Sequence, residues 1–98
     1  MRQAEVIKTL MSQEAAIRNL GVDALYLYGS HARDEARPDS DVDLFFDKAP
    51  DRPLGFLELT GLKIMLEDVF GRQVDVATRT SLHPVLRTGI EASAIRVF

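Results

Sequence analysis

Cysteine is absent from the 98 residues, which excludes disulfides and thiolate metal sites together. No apolar run approaches the roughly 18 residues that a membrane span requires. An excess of basic charge is missing too: 12 Lys and Arg stand against 15 Asp and Glu, for a net charge of −3. A stand-alone nucleic-acid binder normally shows a basic surface, so direct nucleic-acid binding is not expected, while a basic protein partner stays open. The opening Met1-Arg2-Gln3-Ala4-Glu5 has no apolar signal-peptide core, and a cytoplasmic protein is the expectation. There is no internal repeat, low-complexity tract or linker. Residues 1–98 are read as one domain.

What remains is ordinary globular material, 46% hydrophobic and 28% charged. Residues 3–20 read as an amphipathic helix with Ile7, Leu10, Met11, Ile17 and Leu20 near one stripe, closed by Gly21. Leu25 to Tyr28 has the apolar, aromatic character of a strand. After the proline-bearing loop 48–53, a second helix over 54–70 repeats Leu59, Leu62, Leu66 and Val69 at the helical period, and Gly71 ends it. Gly61 lies inside that helix, where a close helix–sheet contact would account for it. Residues 73–78 form the third strand. A last helix is expected from the cap at Ser81 to about Glu91, packing Leu82, Val85, Leu86 and Ile90, followed by a short strand or tail over 94–98. The order implies an α/β (α+β) domain, with a mixed sheet of about four strands and helices packed on its one apolar face.

The chemistry is concentrated between Leu25 and Asp47. The strand ending at Tyr28 runs straight into Gly29-Ser30, where a glycine lets the backbone approach a bound group and a helical turn starting at Ser30 would aim free N–H groups outward. Such a turn attracts phosphate. Ser30 adds a hydroxyl, and Arg33 lies one turn further on, within reach of the same anion. His31 and Arg37 show no pattern that assigns them a role. Pro38-Asp39-Ser40 resets the chain into a strand whose Val42, Leu44 and Phe46 face the core, leaving Asp41 and Asp43 on the other face. Residues two apart in a strand stand roughly 6–7 Å apart on one face. Two carboxylates so placed repel unless a cation sits between them, and a hard ion such as Mg²⁺ prefers oxygen ligands. In the third strand Asp75 is flanked by Val74 and Val76, an unfavourable place for an aspartate, and faces the same way as Asp41 and Asp43.

Gly29-Ser30, ten residues, then Asp41-Val42-Asp43 resembles the signature of the polymerase-β-type nucleotidyltransferase superfamily. The fuller Gly-Ser-x-Ala-Arg with Ser-Asp-x-Asp-Leu is similar to its smallest members, the minimal nucleotidyltransferases that act as antitoxins beside HEPN-type toxins. With Asp75 as third carboxylate, the resemblance covers nearly the whole chain. It implies a polymerase-β-like fold, two Mg²⁺ ions held by catalytic Asp41, Asp43 and Asp75, ATP cradled by Gly29, Ser30 and Arg33, and transfer of AMP to a hydroxyl, typically tyrosine, of the HEPN-type toxin. Only about twenty residues follow Asp75, little room for the acceptor-binding domain of larger relatives. A protein acceptor is therefore easier to accommodate than a polynucleotide. Two other readings remain: an antitoxin that inhibits by occlusion, and a nucleotidyltransferase of small molecules.

Overall fold

The computed structural model describes all residues, Met1–Phe98. Its centre is a four-stranded mixed sheet in the order β3-β2-β1-β4, made of β1 (Val22–Tyr28), β2 (Val42–Lys48), β3 (Val74–Thr78) and β4 (Ile95–Arg96). β1 is antiparallel to both β2 and β4, and β2 is parallel to β3. The parallel pair needs a crossover, which α3 (Phe56–Phe70) supplies. Strand alternation divides the sheet as expected: Leu25, Leu27, Val42, Leu44, Phe46 and Val74 are all fully buried on one face.

α1 (Gln3–Ser12), α2 (Glu14–Asn19) and α3 cover that face, contributing Val6, Leu10, Ile17, Leu62, Leu66 and Phe70 to one core. The single helix read over 3–20 is broken at Gln13, whose dihedrals of −102° and 7° leave the helical region. No glycine or proline marks that break. Beyond it, Arg18 ties α2 to β1 by donating to the Asp23 carbonyl at 2.6 Å. α3 closes as its sequence implies, with Gly71 left-handed at φ 65° and its N–H on the Glu67 carbonyl at 2.8 Å.

Two expectations about packing are corrected. Gly61 makes no close helix–sheet contact: a Cβ there would meet nothing within 4 Å. It is an exposed helix-interior glycine, so Gly61→Ala is expected to raise stability by up to about 1 kcal/mol, read as a higher denaturation midpoint. In the last helix, α4 (Pro84–Ser93), Val85 and Leu86 are 81% and 59% exposed. The cap is one element later than Ser81, which closes a 3₁₀ turn (Arg79–Ser81); His83 caps α4, its Nδ1 accepting from the Val85 N–H at 3.2 Å. α4 contributes nothing to the core because it lies across the opposite face of the sheet, where Arg79 fastens it. No helix is long and apolar enough to cross a membrane.

Candidate functional site

The register across three strands aligns Tyr28 of β1, Asp43 of β2 and Asp75 of β3 in one row, on the face turned away from the core. Tyr26, Phe45 and Ala77 form the next row. Tyr26 and Phe45 stack at 4.7 Å between centroids, giving the carboxylate row a rigid apolar neighbour.

Gly29 leaves β1 with φ 75°, a backbone conformation that L side chains rarely adopt. A Cβ at this position would overlap the Asp43 Oδ2 and lie 3.2 Å from its Cγ. The turn is thus pressed directly onto the second carboxylate of the Asp-x-Asp pair. It closes as a single helical turn: the Ala32 and Arg33 N–H groups donate to the Gly29 carbonyl, and the Glu35 N–H to the Ser30 carbonyl at 2.8 Å. α1 holds it from behind. The Gln3 side chain donates to the Ala32 carbonyl at 2.6 Å, and the Gln3 N–H donates to the Asp34 carboxylate at 3.1 Å.

Burial, the Asp75 charge and the Asp41 charge together push the Asp43 carboxyl up to about 6, with a hydrogen bond shared with Asp75 adding to the rise and Arg33 opposing it. Tyr28 is raised for related reasons, burial first and then Asp43 and Asp75. Asp43 and Asp75 therefore form a close, like-charged pair with Arg33 the nearby cation. β2 starts at Val42, so Asp41 stands at the mouth of the strand rather than within it. It is close enough to act on Asp43, but no three acidic or histidine side chains converge on one point to enclose an ion. In donor chemistry the group suits a hard divalent cation: anionic oxygens crowded together without an equal positive charge.

His31 and Arg79 had no assigned role from sequence, and both position the site. His31 is fully buried, and its Nδ1 lies 3.0 Å from the Asp41 carbonyl. A carbonyl only accepts, so Nδ1 carries the proton and the ring spans from the glycine turn to the start of β2. Burial lowers its basicity, as do the terminal ammonium and Arg72, against the contrary effect of that hydrogen bond. Arg79 donates to both oxygens of Asp47 at 2.8 and 3.1 Å and also to Glu91 of α4. Its guanidinium lies 4.7 Å over Tyr26 and 5.0 Å over Phe45. This fixes α4 above the second row and leaves the carboxylate row accessible beside it. No spacing rule exposes either residue, because each acts through a partner remote in the chain.

The model of the nucleotidyltransferase domain family matches residues 10–97. The chain is 39% identical over 77 residues to a Methanocaldococcus jannaschii protein named "Putative protein adenylyltransferase MJ0435", covering 79% of this chain and 81% of that one. It is similar to a solved "putative minimal nucleotidyltransferase" with a TM-score of 0.72 and 33% identity, over 97% of this chain and 95% of the other. A toxin–antitoxin structure containing AMP-PNP superposes with a TM-score of 0.71 over 100% of this chain and 73% of its counterpart, and at 19% identity that likeness speaks for the fold. The family model spans all four strands of the sheet, and the chain belongs to the nucleotidyltransferase domain family.

Proposed function

We propose that this protein transfers AMP from ATP to a hydroxyl, a tyrosine in the favoured case, of a HEPN-type toxin, and thereby acts as its antitoxin in the cytoplasm. The observation that carries the proposal is the contact of the Gly29 turn with Asp43, which puts a phosphate-type turn against the paired carboxylates of Asp43 and Asp75. The name of the Methanocaldococcus jannaschii relative and the AMP-PNP-containing toxin–antitoxin structure support the choice of nucleotide and partner.

In this reading the backbone at Gly29, the Ser30 hydroxyl and Arg33 hold the β- and γ-phosphates. The α-phosphate then lies over Asp43 and Asp75. Two Mg²⁺ ions, held by Asp41, Asp43 and Asp75, would supply positive charge to the triphosphate and the incoming oxygen. The acceptor hydroxyl oxygen forms a bond to the α-phosphorus while the bond from that phosphorus to the bridging oxygen breaks. Pyrophosphate departs over the Gly29 turn, and the hydroxyl proton passes to exposed Asp75 at the rim of the sheet. Orientation and charge placement carry the catalysis; no covalent enzyme intermediate is needed.

The test is transfer itself. With Mg²⁺ and ATP labelled at the α-phosphate, label is expected on the partner toxin, and excess EDTA should abolish both transfer and ATP binding. Equal ATP affinity with and without EDTA would overturn the role of Asp41, Asp43 and Asp75 as ligands. Label that never leaves ATP in the presence of toxin would overturn the transfer reading.

A further inference from the structure

A cavity of about 370 Å³ opens between α4 and the glycine turn, walled by Tyr28, Gly29 and Arg33 on one side and Leu86, Gly89 and Ile90 on the other. Its size falls within the roughly 300–1,000 Å³ of small-molecule sites. The lining is asymmetric in a useful way. One wall consists of the residues proposed to hold the triphosphate, together with an aromatic ring. The opposite wall is aliphatic apart from Ser93, and at Gly89 it is bare: a Cβ there would meet nothing within 4 Å, so a flat ring can lie against the helix backbone itself. α4 leaves this wall exposed, with Leu86 59% accessible, because Arg79 anchors the helix over the neighbouring Tyr26–Phe45 row instead.

We infer that this cavity receives the nucleoside of the triphosphate, with the heteroaromatic base between the Tyr28–Arg33 wall and the Leu86–Gly89–Ile90 face of α4. The inference rests on the proposed phosphate site and deepens it, since α4 then becomes the element that selects the nucleotide. Continuity with the turn argues for the nucleoside over the acceptor. In an in-line displacement the attacking oxygen enters opposite the leaving pyrophosphate. The pyrophosphate lies over Gly29 and Arg33, so the acceptor comes from the Asp75 side, where β3 is the edge strand. The cavity is on the turn's own side and shares Gly29 and Arg33 with it.

Gly89→Leu tests this, because Gly89 lines the cavity, a Cβ there meets nothing within 4 Å, and the substitution replaces a helix-interior glycine. The variant is expected to melt no lower than the wild type. With Mg²⁺ present, its affinity for ATP should fall at least tenfold, while its affinity for inorganic tripolyphosphate stays within twofold of the wild type. Leu86→Ser, at a position already exposed, should weaken ATP in the same selective manner and guards against an idiosyncrasy of the leucine. Unchanged ATP affinity in a folded Gly89→Leu protein would overturn the inference, and loss of transfer alone with ATP binding intact would assign the cavity to the acceptor instead. Equal loss of ATP and tripolyphosphate would show that the substitution displaced the turn, and unchanged ATP affinity in Leu86→Ser would then overturn the inference. A wild type that binds neither compound would overturn the nucleotide site and this assignment with it.

Discussion

Asp43→Asn is expected to reduce AMP transfer by roughly 10²–10³-fold while making the nucleotide-free protein more stable. The substitution keeps the side-chain volume and removes a charge that burial, Asp75 and Asp41 all disfavour. The sign follows from the raised carboxyl. Its value of about 6 in the folded protein lies above the ordinary aspartate value. The folded state therefore holds this proton more tightly than the unfolded chain, and the associated stability is present at acid pH and lost as pH rises through about 6. Because the carboxyl is only partly buried, solvent screening reduces the difference at neutral pH to about 1 kcal/mol. That corresponds to about 4–8 °C in the melting temperature of a domain this size. Melting curves of both proteins at pH 4 and pH 8, without divalent ions, check it: the variant should gain at pH 8 and not at pH 4. The same variant separates catalysis from occlusion. A folded Asp43→Asn protein that still binds the toxin yet fails to protect cells supports catalysis. Full protection without any nucleotidyl adduct on the toxin would show that inhibition is by binding.

Gly29→Ala is expected to be the most damaging single-atom-scale change in the chain. It imposes a positive φ of 75° on a residue with a Cβ and drives that Cβ into the Asp43 carboxylate. The conformational part costs about 1–2 kcal/mol, and the overlap forces either the turn or Asp43 to move. Denaturant unfolding should show a loss of at least 1 kcal/mol, and transfer should fall by about as much as for Asp43→Asn. The cause is separable. Adding Asp43→Gly to Gly29→Ala removes the collision but not the strained φ, so the double variant should regain part of the stability without any transfer activity. Strictly additive losses would mean that the turn does not rest on Asp43.

Asp43 and Asp75 could be assigned to one face from strand alternation alone, since the sign of each neighbour was visible in Val42, Leu44, Val74 and Val76, whereas Tyr28 joined them only through the register of β1 against β2. Alternation gives no information on register. That Asp43 is paired with Asp75, and not with a residue two places along, depends on how β2 and β3 align in parallel across the α3 crossover. The same limit explains Asp41, which shares the pattern of Asp43 but stands before the strand begins. It explains α4 as well. Its sequence has an apolar stripe like that of α3, and local periodicity cannot tell which side of a sheet a helix will take.

Sequence by itself determined the kind of local structure and the candidate chemistry: where strands and most helices lie, that Gly29 turns the chain, and that Asp43 and Asp75 face away from the core. These properties depend on near neighbours, on side-chain periodicity and on the stereochemistry of one residue. Tertiary structure alone decided the pressing of Gly29 onto Asp43, the burial of His31 against the Asp41 carbonyl, and the clamp in which Arg79, lying over the Tyr26 ring, holds Glu91. Each joins residues from different elements, so its geometry follows from how the whole chain packs, and no short window of sequence contains it.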